Sequence, residues 1–397
     1  MDDARRAVEA VARDSYGRLV AYLSSHTRDV AAAEDALGDA LLAALDTWPR
    51  DGAPRAPEAW LLKSARNRFL DWKRHDRVKT ASVDTIRLVA ESRAGEPADR
   101  QFPDERLKLL FVCAHPAIDP AVHTPLMLQT VLGITAARMA SAFLVPAATM
   151  SQRLVRAKTK ILDAGIPFEV PDDRDLAPRL DAVLEAIYAA FGLGWDDGGG
   201  ELAEEAIWLG RVLVEKRPHD PEARGLLALM LYVQARRAAR RSPDGRYVPL
   251  SEQDPALWSR ETIAEAEAEL AAASSERRPG RFQLEAAIQS AHAARARGGS
   301  VDWRAIALFY DHLVRLSPTV GARVGRAAAL AEVEGPVAAL MRLDEIGEVS
   351  ASQPYWAVRA HLLAQAGRAA EAQLAYDRAI ALATDPAVKR FLSDRRG

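Results

Sequence analysis

At 397 residues the chain is longer than one hydrophobic core usually organises, so two or three domains are expected. Its 53 Lys and Arg against 55 Asp and Glu give a formal charge of −2, which excludes a global basic field for nucleic acid and leaves only a local patch for such binding. The single cysteine, Cys113, excludes an internal disulfide, no apolar run of about twenty residues could span a membrane, and the start MDDARRAVEA lacks the apolar segment of a secretion signal, so a cytoplasmic protein without membrane contact is expected.

Ala, Leu, Arg and Glu dominate and β-branched alternation is scarce, so the expected fold class is all-α. In the first segment Leu37, Leu41, Ala44 and Leu45 recur at helical spacing, making AAAEDALGDALLAALDTW an amphipathic helix with Glu34, Asp35 and Asp39 on its wet side. PRDGAPRAP, residues 49–57, should break that helix, with Pro57 in the first turn of the next. The next helix, PEAWLLKSARNRFLDWKRHDR, interleaves Trp60, Leu61, Phe69 and Trp72 with Lys63, Arg66, Arg68, Lys73, Arg74 and Arg77. Residues 78–103 lose the periodicity, gain charge, Gly and Pro, and read as a linker.

A second helical block covers residues 104–166 and ends at Gly165. Within it Thr135 can cap a helix reaching about Ala142, Phe143 to Val145 make a tight connection, and Pro146 can start a second helix, the length of a helix-turn-helix. Met150, Leu154, Ala157 and Ile161 define the buried face of that second helix. The other side carries Ala148, Thr149, Gln152, Arg156 and Thr159, flanked by Arg153, Lys158 and Lys160, with no acid before Asp163. Small and hydrogen-bonding residues near a helix start can approach base edges in a major groove while the cations reach phosphates. A basic surface helix of an ordinary bundle would show the same face.

From about residue 176 to 397 the chain reads as helix hairpins. Trp356, Gly367, Ala372, Tyr376 and Ala379 match the spacing of one tetratricopeptide (TPR) unit, and stacking of such pairs into a TPR-like array is expected. Other constellations are weaker. Cys113, His115 and His123 lack a partner motif and read as packing, so no metal is expected. WDDGGGE, residues 195–201, lacks the Lys-Ser/Thr of a phosphate loop and reads as a helix connection. No catalytic constellation is recognisable, and neither an enzyme nor a cofactor is expected.

AAAEDALGDALLAA, APEAWLLKSARNRFLDWKR and TAARMASAFLVPAATMSQRLVRAK resemble, in that order, the two conserved domains of bacterial extracytoplasmic-function sigma factors of the sigma-70 family. LLFVCAHPAI and FLVPAATMSQRLVRAKTKILDAGIPFEVP resemble the subgroup with a long TPR-like C-terminal extension. The resemblance implies a partner to core RNA polymerase and promoter DNA. It divides the chain into a region-two domain (1–77), a linker (78–103), a region-four helix-turn-helix domain (104–166) and a TPR-like domain (176–397). Carried over by position, Glu34, Asp35 and Asp39 face the polymerase clamp, and Trp60, Lys63, Arg66, Asn67 and Arg74 contact the minus-ten element. Ala148, Thr149, Gln152, Arg153, Arg156, Lys158 and Lys160 contact the minus-thirty-five element. Gly38-Asp39 stands where many members have Gln-Glu or Gln-Asp, and Arg138 stands where the motif commonly has Glu, which removes the capping box to Thr135. The C-terminal domain is expected to regulate the first two through an intramolecular contact or through the polymerase. The competing expectation is a helical-repeat regulator or scaffold that binds an operator without core polymerase.

Overall fold

In a computed structural model the described residues are 2–76, 104–143, 145–196, 200–347, 349 and 351–397. Among them the fold is all-α, with eighteen α-helices and one isolated bridge between Arg241 and Tyr247. The chain divides into two compact units, residues 1–195 with 199–203, and residues 196–198 with 204–397. The segment read as a linker lies outside the described residues, as does Leu144.

The first unit begins with α1 (Asp2–Thr27), α2 (Val30–Asp51) and α3 (Pro57–Asp76), each packed on the other two. Asp29 caps α2 by accepting from the Ala32 amide at 3.0 Å, and Pro57 opens α3 as its fixed φ favours. The buried stripe of α2 is Val30, Ala33, Ala36, Leu37, Ala40, Ala44 and Trp48. Leu45, expected on that stripe, is 40% exposed because it lies one residue, about 100°, round from Ala44. The expected break at Pro49 comes two residues later. α2 continues to Asp51, losing the bond that the Leu45 carbonyl would receive, and ends where Gly52, at φ 85°, donates to the Trp48 carbonyl.

Then come α4 (Arg106–Cys113), α5 (Pro120–Leu132), α6 (Ala136–Ala142), α7 (Ala147–Asp163) and α8 (Asp173–Asp196). Asp119 caps α5, and Gly133, left-handed at φ 65°, closes it. α1 packs against both α4 and α5. The approach is closest at Gly17, where a Cβ would stand 1.6 Å from the Val131 carbonyl oxygen, so this helix crossing has room only for glycine. The prolines after Gly165 separate α7 from α8 without dividing the units: α8 starts at Asp173, three residues before the expected 176, and runs through Pro178, which removes one helical donor in its second turn. α8 belongs to the first unit through Trp195.

The chain passes between the units along α9 (Glu201–Lys216). The second unit continues with α10 (Pro221–Ala235), α11 (Arg260–Ser275), α12 (Arg281–Ala293), α13 (Trp303–Leu316) and α14 (Val320–Glu334). It closes with α15 (Pro336–Asp344), α16 (Gln353–Gln365), α17 (Ala369–Leu382) and α18 (Pro386–Arg396). From α10 onward each helix packs on its chain neighbours, the sequence-local packing of helical arrays. In the α16–α17 hairpin Ala372, Tyr376 and Ala379 are buried, Gly367 turns at φ 75°, and Trp356 meets Tyr355 edge-on with ring centres 5.3 Å apart.

Candidate nucleic-acid and partner interface

Helix α7 carries the amphipathic pattern read from its sequence. Met150, Leu154, Ala157 and Ile161 are buried, while Ala148, Gln152, Arg153, Arg156, Thr159 and Lys160 are exposed and Thr149 is half-buried. The short α6 precedes it, and the Thr135 hydroxyl accepts from the Arg138 amide at 3.3 Å, so the cap forms without a capping-box glutamate. The exposed face therefore offers three cations and a glutamine over a packed stripe, geometry that admits base edges and phosphates together.

Lys158 departs from that face. It is buried, and its ammonium donates to the Glu34 carboxylate on α2, with side-chain exposures of only 8% and 13% for the two partners. Glu34 is correspondingly not on the wet side of α2. Burial pushes its carboxyl above the usual range, and the Lys158 charge opposes that rise. The physical reason is the packing of α2 on α7: Lys158 follows Ala157 at the edge of the buried stripe, where the long stem can lie inward and the ammonium then needs a counter-charge. Cys113 is fully buried and shares a weak hydrogen bond with Thr130 at 3.5 Å. Its thiol is pushed up to about 12 chiefly by burial, with smaller effects from Thr130, Glu34 and Lys158.

Asp35 and Asp39 remain exposed. Together with Asp29, Arg68, Phe69 and Trp72 they line an open groove between α2 and α3. Arg68 lies 3.4 Å from Asp39, and Trp72 is 52% exposed with its ring 6.2 Å from Phe69. The groove was only half legible in sequence, since the Asp35/Asp39 pair at i, i+4 and the exposed Trp72 sit on different helices.

On α3, Lys63 and Asn67 are exposed, whereas Trp60 is half-buried edge-on to Trp48 with ring centres 5.6 Å apart. Arg66 was expected to contact DNA, but it is 9% exposed and donates to the Tyr22 hydroxyl at 2.5 Å, its guanidinium 5.3 Å from that ring. Its position one residue after the buried Ala65 turns the stem toward α1, where the phenol satisfies it. The Arg74 side chain lies outside the described residues. Cys113, His115 and His123 each have a local partner: His123 Nε2 meets the Ile118 carbonyl at 3.0 Å, and His115 Nδ1 accepts from the Ala117 amide. Among the described residues no helix is long and apolar enough to cross a membrane.

Comparison with known proteins gives two family matches. Residues 11–78, which hold most of α1 together with α2 and α3, match sigma-70 region 2, and residues 179–274 match a family of unknown function, DUF6596. The chain is 41% identical over 382 residues to the uncharacterized protein R00370 of Rhizobium meliloti (strain 1021), spanning 93% of this chain and 90% of that one. No solved structure matches.

Proposed function

We propose, from the premise of a sigma-70 region 2 domain over residues 11–78, that the chain is an alternative sigma factor of the extracytoplasmic-function kind. It binds core RNA polymerase, directs it to a promoter, and carries a TPR-like regulatory domain behind α9. The observation that carries the reading is the coincidence of the region 2 match with a groove in which exposed Asp35 and Asp39 stand beside Arg68 and Trp72. The acids suit a basic clamp. The exposed face of α7 then supplies Thr149, Gln152, Arg153, Arg156 and Lys160 to an upstream element. In this reading the protein is not an enzyme and needs no cofactor; it lends promoter choice to one.

The packing of α2 on α7 belongs, in this reading, to the protein away from its promoter. Elements near minus ten and minus thirty-five are centred about 25 base pairs apart, roughly 85 Å of duplex at about 3.4 Å per pair. Helices in mutual contact do not reach both. The 26 residues from 78 to 103 can extend to about 90 Å, so the two blocks can separate without unfolding either. Glu34 and Lys158 would part in that step, and Lys158 would join the cations that face phosphate.

Co-purification with core polymerase followed by run-off transcription tests the proposal. Association and promoter-specific transcripts are expected. DNA binding without any association with the core would overturn it and leave a regulator that binds an operator alone.

A further inference from the structure

The second unit is dense in arginine, and many of its arginines are paired with acids. Arg211 meets Glu265 at 2.9 Å, Arg281 meets Glu285 at 2.8 Å, and Arg326 meets Asp311 at 2.7 Å. Arg224 with Glu269, Arg359 with Asp344 and Arg368 with Glu371 follow the same rule. Arg236 and Arg295, both half-buried, have neutral partners instead. Arg236, just past the end of α10, donates from Nε to the Tyr232 carbonyl at 3.3 Å and from Nη2 to the Gln289 amide oxygen at 2.6 Å. Arg295, just past α12, donates to the Leu250 and Gln253 carbonyls at 2.7 and 2.8 Å. Every one of these acceptors is neutral.

One indole gathers the two cations. Trp258 is 3% exposed, and its ring centre lies 5.9 Å from the Arg236 guanidinium carbon and 5.3 Å from that of Arg295. Its own Nε1, a donor, is buried without a hydrogen-bond partner. His292 lies in the last turn of α12, one turn after Gln289, which accepts from Arg236, and three residues before Arg295; its ring meets Trp303 edge-on at 5.3 Å, and both guanidiniums act on its imidazole. Arg240 and Arg241 stand close to the same place, around the Tyr247 phenol, and the acid acting there, Asp385, is engaged by Arg241.

Holding the 250–253 turn by its carbonyls does not require charge, because a neutral amide donates to a carbonyl at a smaller desolvation cost. Two guanidiniums placed near one another, partly out of water and without a carboxylate, are unfavourable by themselves. A doubly charged oxyanion with several acceptor oxygens reverses the sign of that interaction and uses the donors that remain. We propose that Arg236, Arg295 and His292 form a binding site in the second unit for a small phosphate-type anion, either inorganic phosphate or the phosphate of a small metabolite. The site draws on residues on both sides of α11 in the sequence, so occupancy ties the end of α10, the 250–258 segment and the end of α12 to one another. It does not depend on the sigma-factor reading, since all its residues belong to the helical unit after α9.

His292 gives a readout that needs no substitution in the site. Burial, then Arg236 and Arg295, hold its imidazole down to about 4. A bound phosphate, a monoanion in solution across this pH range, favours the imidazolium, so the midpoint rises on binding. The full-length protein is titrated at constant ionic strength with inorganic phosphate, with ribose 5-phosphate and with acetate, followed by thermal unfolding and by histidine proton resonances. The His292 signal is assigned by H292Q. Saturable stabilisation by a phosphate probe, and a His292 midpoint at least one pH unit higher in its presence, are expected, with no effect of acetate. A preference for ribose 5-phosphate over inorganic phosphate identifies the metabolite as the source, and the reverse identifies the free ion. Arg236→Gln should weaken the response at least tenfold, while Arg246→Gln, an exposed arginine paired with Asp244, should leave it unchanged. Absence of saturable binding by either phosphate probe, or an unmoved His292 midpoint at saturation, overturns the site. So does full binding by Arg236→Gln. If that variant does not fold, the His292 titration of the unaltered protein decides.

Discussion

Helices α3 and α7 use similar sequences in different ways. Both set bases beside an apolar stripe, and both turn one cation inward while leaving others exposed: Arg66 on α3, Lys158 on α7. Arg66 meets a neutral phenol on α1, within the three helices of the region 2 match. Lys158 meets a carboxylate on α2, across the segment that joins the two blocks. The first contact holds one block together and has no reason to break. The second couples two blocks, and its buried charges would regain water in the separation proposed above. Inward cations therefore fall into two kinds, those that build a domain and those that hold domains in one arrangement.

Substitutions should separate the two kinds. The largest effect is expected at Gly17, where a side chain collides with the Val131 backbone rather than with a movable group. Gly17→Val should cost about 3 kcal/mol, at the upper end for overpacking, or else part α1 from α5, and denaturant unfolding with limited proteolysis between residues 78 and 103 distinguishes these outcomes. Arg66→Met should lower stability by about 2 kcal/mol, since it leaves the Tyr22 hydroxyl without its donor, and it should do so equally in a fragment containing only the first three helices. Lys158→Met leaves the buried Glu34 carboxyl without its counter-charge and should destabilise the contact by about 2 kcal/mol, while the double variant Glu34→Gln, Lys158→Met should restore the stability measured by denaturant. Were Arg66→Met rescued by separating the blocks, or Lys158→Met unaffected by it, the distinction would collapse.

Acidity offers a finer test of the same contact. The folded-state carboxyl of Glu34 is raised, so its contribution is fully present below the ordinary glutamate range and is lost as pH rises through the raised value. Stability measured across that window should fall with rising pH, and Glu34→Gln should flatten the slope. The smallest effect on stability, within about 0.5 kcal/mol, is expected for Arg156→Ala and Gln152→Ala on the exposed face of α7. These same changes should weaken use of the cognate upstream element by about 1 to 3 kcal/mol each in run-off assays.

The elements of α7 were legible because a stripe at positions 150, 154, 157 and 161 fixes a helix face without outside information. The Thr135 cap, the Pro57 start and the Gly165 end were legible for the same local reason. The destination of Lys158 was not. A lysine at the edge of a stripe can lie either way, and its partner is 124 residues distant. Glu34 carried a fainter signal: it stands four residues after the buried Val30, hence about 40° round the helix, closer to the stripe than Asp35. The convergence around Trp258 was illegible for another reason, because Arg236 and Arg295 are placed by separate helix ends and no periodicity relates them.

Cys113 gives the contact between the blocks a clock. It is the sole thiol in the chain and is fully buried, and its ionisation is suppressed to about 12. An alkylating reagent can reach the reactive thiolate only while the surrounding helices are apart. The labelling rate of the unaltered protein, alone and then with core polymerase, thus times how often the first unit opens, with no probe added to the surfaces under study.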